Sequence, residues 1–84
     1  MLRTPAELNR IRWRSRRGMA ELDILFIPFF DEVFPFLSET RQNAFVRLLT
    51  EEDPELWEWF SERATPQDPE YLDLVTVMLG RLQP

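Results

Sequence analysis

The sequence predicts an all-α fold, a compact bundle of five short helices, and three observations carry that prediction. Every segment between turn signals repeats its apolar residues with a period near 3.6, and no stretch alternates long enough to argue for a strand. Helix-opening pairs recur at Thr4-Pro5, Asp53-Pro54 and Asp68-Pro69, where a side-chain oxygen can accept free amide hydrogens and proline lacks the N–H that a first turn leaves unused. The connections between patterned segments are only a few residues long, which favours antiparallel packing of neighbours over one long coiled coil.

Taken in order, the first helix is expected over Pro5–Arg16, capped by Thr4, with Leu8, Ile11 and Ser15 on one face. The second carries Met19, Leu22, Leu25, Phe26, Phe29, Phe30, Val33 and Phe34, the series of a central core element. Pro28 lies inside it, so a kink near Ile24 or a break and restart around Pro28 is expected, and Pro35 ends the helix. Ser38 caps a third helix that presents Ala44, Phe45, Leu48 and Leu49 and stops by Glu52. Asp53 caps the fourth, with Leu56, Trp57, Trp59, Phe60 and Ala64 as its apolar residues; Trp57 and Trp59 fall on different faces, so one should be partly exposed. Thr65-Pro66 separates it from the fifth, which Asp68 caps and which carries Leu72, Val75, Met78, Leu79 and Leu82. Residues 1–84 read as one domain, frayed at the first residues and the last two.

Composition narrows the chemistry. A chain of 84 residues buries only roughly 60–65% of the surface that its unfolded form exposes, so its core must be dense, and seven Phe with three Trp can supply that density. The absence of both Cys and His removes disulfides, the usual zinc sites, cysteine nucleophiles and histidine bases. No catalytic residue is assigned. Acidic pairs such as Asp31-Glu32 and Glu51-Glu52-Asp53 read as solvated helix ends and caps, because a hard cation needs several convergent oxygens; no metal site is assigned either.

Charge is lopsided. Residues 1–17 hold six arginines against one glutamate, a net +5, and the remainder holds four arginines against fourteen acids, a net −10, which together make the −5 of the chain. Such a basic head on an acidic body points to an outside partner, nucleic acid or an acidic protein surface. The acidic body argues against nucleic acid, since phosphate binding needs an extended basic face. The longest apolar run, Ile24 to Phe30, is far shorter than the roughly 20 residues of a membrane span, so no membrane partner is expected. The first residues lack the apolar stretch of a secretory signal. The arginine-rich start runs directly into the patterned region, and the cytoplasm is the expected compartment.

The arginines converge on a corner between the first two helices. Gly18 after an arginine-rich helix end fits a left-handed C′ cap, and it equally fits a point where a partner's backbone comes close; the two readings are compatible. Arg17 and Glu21, four apart, have the weaker order for a plain helix pair, worth a few tenths of a kcal/mol. As a helix end and a helix start, both suit their dipoles and stay free for a partner. Trp13 between Arg12 and Arg14 could stack on a base, a flavin ring or a neighbouring helix, and the last is expected because large aromatics in small bundles usually join the core.

By Arg17-Gly18-Met19-Ala20-Glu21 the sequence resembles the small SdhE/YgfY family of succinate dehydrogenase FAD assembly factors, whose hallmark is R-G-x-x-E. The likeness extends through Arg10-Ile11-Arg12-Trp13, Glu21-Leu22-Asp23, Pro28-Phe29-Phe30, Phe45-Val46-Arg47-Leu48-Leu49 and Asp53-Pro54-Glu55-Leu56, covering about residues 10 to 80. It implies a YgfY-like five-helix bundle that is not an enzyme. Such a bundle binds the flavoprotein subunit of succinate dehydrogenase, and often of fumarate reductase, and promotes covalent attachment of FAD to a histidine of that client. FAD then belongs to the client, and this chain is expected to hold no cofactor stably. The resemblance assigns the contact surface to Arg17, Gly18 and Glu21, and their neighbours Arg16, Trp13 and Met19 are expected to join it. An antitoxin-type or regulatory protein-binding module is the alternative, and no motif supports it. Where many members place a glycine after the fourth helix, this chain has Ala64-Thr65, which leaves the geometry of that turn open.

Overall fold

A computed structural model of the chain describes residues 3–81. Within them lie five α-helices, α1 (Pro5–Arg14), α2 (Ala20–Glu32), α3 (Glu39–Leu48), α4 (Asp53–Phe60) and α5 (Pro69–Gly80), with a 3₁₀ turn at Phe34–Phe36. The bundle measures 36 × 27 × 25 Å. Leu82 and the tail, assigned above to a helix face and a frayed end, lie outside the described residues.

Helix α1 starts as expected, with a capping box: the Glu7 amide donates to Thr4 Oγ1 at 3.1 Å, and Thr4 N–H reaches back to Glu7 Oε1 at 3.4 Å. It ends at Arg14, two residues earlier than Arg16. Ser15 is the C-cap, fully buried, with its hydroxyl donating to the Ile11 carbonyl at 2.9 Å. That bond satisfies a fully buried hydroxyl and closes the helix.

Helix α2 is the central element, and it runs unbroken through Pro28. The break expected there does not occur. Pro28 leaves the Ile24 carbonyl without its helical donor, but Ile24 lies on the outer face, 69% exposed, where water can take that carbonyl. The opposite face buries Leu22, Phe26, Phe29 and Phe30. After Glu32 the chain tightens into the 3₁₀ turn holding Pro35, which keeps Phe34 in the core and leaves Phe36 86% exposed.

Phe45 of α3 stands at the centre of the core. Its ring lies 5.4–6.4 Å from those of Phe26, Phe29, Phe30 and Phe34, and Phe26 meets Phe60 of α4 edge-on at 5.4 Å. Polar pairs bind the rim. Arg41 forks onto Asp73 at 2.8 Å for both bonds, and Arg47 reaches Asp68 and Glu70, tying α3 to α5. Arg12 forks onto Asp31, tying α1 to α2.

Two expectations about the last helices need correction. The Ala64 side chain is exposed and α4 ends at Phe60, because Glu62 takes a left-handed conformation (φ 64°) that stops the helix. The amides of Glu62 and Arg63 donate to the carbonyls of Trp59 and Glu58, the Schellman pattern, with glutamate where glycine is favoured. In α5 the buried stripe is Tyr71, Leu74, Val75 and Met78, while Leu72 is partly exposed. The tyrosine takes the inward position because its ring packs on Trp59 at 5.7 Å and its hydroxyl still reaches Glu51 at 3.3 Å. Trp59 is buried and Trp57 half-buried, as their placement on different faces requires.

Candidate partner-binding site

The corner between α1 and α2, Ser15 to Met19, is irregular backbone held from beneath by two carboxylates. Asp23 of α2 accepts the Arg17 amide. Asp53, at the first position of α4, accepts Arg17 Nε at 2.7 Å on one oxygen and the Gly18 amide at 3.0 Å on the other. The expectation that Asp53 caps its own helix is therefore wrong: Glu52 holds the cap position, no side chain caps α4, and the Asp53 carboxylate turns to the corner instead. Asp68, the parallel case, does cap α5 through the Glu70 amide at 2.9 Å.

Arg17 was expected to stand free, and it does not. Its side chain is 12% exposed, and besides Asp53 it donates to the carbonyls of Leu49 at 2.8 Å and Glu51 at 2.6 Å. Leu49 is the C-cap of α3, so the guanidinium sits where a helix leaves carbonyls without partners and carries negative dipole charge. A planar cation with forked donors satisfies all three acceptors at once, which a lysine could not do in that geometry.

The neighbours of Arg17 face outward. Gly18 is exposed and its φ is not positive, so the left-handed cap reading fails. A Cβ built there would meet only Asp53 Oδ2, at 3.5 Å, an ordinary contact. Neither backbone conformation nor internal crowding demands glycine at this point. Glu21, in the first turn of α2, is exposed and has no partner among the described residues. Trp13 is 71% exposed, which overturns its expected place in the core, and the Arg16 guanidinium lies over its ring at 5.7 Å. Met19 is half-buried at the N-cap of α2 and packs on the core. Arg10 and Arg14, also exposed, have no ion pair among the described residues.

The corner thus has two layers. Gly18, Glu21, Trp13 and Arg16 are exposed and make up the outer layer, in which the Glu21 carboxylate has no partner among the described residues, and Arg17, Asp53 and Asp23 form the inner support. Sequence reasoning missed Asp53 and Asp23. Asp53 lies 36 residues from Arg17, and its local context reads as a cap.

Comparison with known proteins places the chain in a family. A family model described as "Flavinator of succinate dehydrogenase" matches residues 9–81. The chain belongs to that family. Among curated relatives, the FAD assembly factor SdhE of Pseudomonas putida is 51% identical over 78 residues, covering 93% of each chain. The FAD assembly factor SdhE of Shewanella oneidensis is 48% identical over 77 residues, covering 92% of this chain and 94% of the relative. The solution structure of a UPF0350 protein superposes with a TM-score of 0.82 at 34% identity, over 96% of this chain and 86% of that one. The chain thus has a solved relative with the same helical fold, and its curated relatives carry the names of assembly factors, not of catalysts.

Proposed function

We propose that this chain is an assembly factor, not an enzyme, that binds the flavoprotein subunit of succinate dehydrogenase and promotes covalent attachment of FAD to it. The flavoprotein subunit of fumarate reductase is a second client of the same surface, and the cytoplasm is where the factor works. Family membership supports the assembly role. The observation that carries the contact surface is Glu21, exposed and without a partner among the described residues, near a glycine that neither its φ nor crowding by its neighbours requires. A charged side chain without an internal partner and a backbone without a Cβ are what a docking partner needs in order to approach closely and form charge-assisted bonds.

FAD belongs to the client in this reading. An open groove of about 470 Å³ includes Glu55 and Asp68 in its lining, whose charge is wrong for the diphosphate of a flavin dinucleotide. The chain has no histidine to serve as the attachment point. What it can supply is geometry. Docking of the corner holds the immature subunit so that its own acceptor side chain and FAD meet in a reactive arrangement, and the chemistry stays with client and cofactor. Exposed Arg10, Arg14 and Arg16 favour approach to an acidic surface.

The test is complementation in cells lacking their own factor. This chain should restore in-gel flavin fluorescence of the flavoprotein subunit, and Glu21→Ala or Gly18→Arg, though folded, should not. Full fluorescence in cells without any factor would reject the role.

A further inference from the structure

We propose that Asp53 is a positioning residue for client engagement: it fixes the Gly18 peptide and Arg17 from inside the bundle, and so sets the direction in which Glu21 and the corner backbone meet the partner. This inference rests on the client-binding function proposed above and assigns a role to a residue outside the R-G-x-x-E motif.

The argument begins with what Asp53 does not do. An aspartate before proline at a helix start ordinarily turns its carboxylate to the free amides of its own first turn, as Asp68 does in α5. Asp53 leaves those amides and divides its two oxygens between Arg17 Nε and the Gly18 amide. It is 24% exposed and Arg17 12%, so both are shielded from solvent competition. Both bonds are charge-assisted, and their two acceptor points fix orientation as well as distance.

The consequence concerns the backbone. Residues 16–19 belong to no helix, and an irregular corner would ordinarily sample several conformations. Here three points hold it: the Arg17 amide on Asp23, the Gly18 amide on Asp53, and the Arg17 guanidinium on Asp53 and the carbonyls of Leu49 and Glu51. The α1–α2 corner is thereby clasped to the α3–α4 corner. Glu21 lies at the start of the helix that this corner feeds. A corner ordered beforehand leaves less conformational entropy to be lost when a partner docks. Within the motif, Arg17 and Glu21 then have different tasks, the arginine inside as part of the clasp and the glutamate outside as the contact.

The experiment uses Asp53→Asn, which keeps the shape but removes the charge, so that one oxygen remains for two donors. It is made alone and together with Glu62→Gly, which relieves the left-handed glutamate past the opposite end of α4 from Asp53 and should raise stability without removing a bond of the clasp. The isolated proteins are compared by backbone amide exchange, and their effect on the client by the rate at which the flavoprotein subunit gains covalent FAD.

In D53N the Gly18 amide should exchange roughly tenfold faster, the loss of one charge-assisted bond. Flavinylation should slow by about 10- to 100-fold, the range in which misplacement of a docking group acts. Adding Glu62→Gly should raise the melting temperature and leave the slow rate in place. Wild-type flavinylation by D53N, its recovery on adding Glu62→Gly, or unchanged exchange at Gly18 would each overturn the proposal. If the wild-type factor itself gave no flavinylation, the client reading would fail, and exchange at Gly18 would still decide whether Asp53 holds the corner.

Discussion

At the scale of single residues, two backbone positions carry opposite lessons. Gly18 is a glycine that the fold does not need, since its φ is not positive and a Cβ would make only an ordinary contact with Asp53. Gly18→Ala should leave stability unchanged or raise it by up to about 1 kcal/mol, through the smaller entropy of the unfolded chain. The same change should weaken client flavinylation, and urea unfolding beside a flavinylation assay separates the two effects. A large loss of stability would return Gly18 to a purely structural role. Glu62 is the reverse, a non-glycine at φ 64°. The left-handed conformation costs an L-residue about 1 kcal/mol or more, so Glu62→Gly should raise the thermal midpoint by about 4–8 °C per kcal/mol gained in a domain of this size. The resemblance flagged a missing glycine near this turn, and the structure shows the consequence: the motif is kept and a glutamate takes the strained position.

At the scale of elements, the five helices were legible because their information is local. Apolar spacing, Thr4, Ser38 and Asp68 as caps, and proline after each acid define segments without reference to the rest of the chain. What was not legible is what depends on distant partners. The inward phase of α5 at Tyr71 depends on Trp59 and Glu51, and the direction of Asp53 depends on Arg17. Trp13 was misplaced for a related reason: composition assigns a large aromatic to the core, but Phe45 and its four Phe neighbours already fill it. The candidate site was legible as a stretch of chain, and its division into an outer and an inner layer was not. That division predicts a contrast between two residues of one motif. Arg17→Ala removes a shielded cation from one carboxylate and two carbonyls and should destabilise by about 2–3 kcal/mol. Glu21→Ala, at an exposed position with no partner among the described residues, should change stability by less than about 0.5 kcal/mol. Denaturant midpoints of the two variants check this, and equal midpoints would refute the two-layer corner.

At the scale of the whole molecule, the placement of titrating groups predicts a broad pH plateau with two separately removable edges. On the acid side, the bond from Arg12 holds Asp31 below the usual carboxylate range, and the Glu70 amide, followed by Arg47, does the same for Asp68. A folded value below the unfolded one gives stability that is complete above the unfolded value of about 3.9 and is lost as pH falls through the folded value. On the alkaline side, burial and then the charge of Glu51 push the Tyr71 phenol up. A raised folded value gives stability that is complete below the unfolded value near 10 and is lost as pH rises through the folded one. Between these edges the chain has no His and no Cys, the side chains that would titrate near neutrality. Thermal melts should therefore be flat from about pH 5 to 9 and fall on both sides. Asp68→Asn should soften the acid fall and leave the alkaline one, and Tyr71→Phe should soften the alkaline fall and leave the acid one. A step in stability between pH 5 and 8 would contradict this account. Its absence bears on the proposed role: if the chain acts only by holding a client, any pH dependence of flavinylation near neutrality is expected to come from that client and its cofactor.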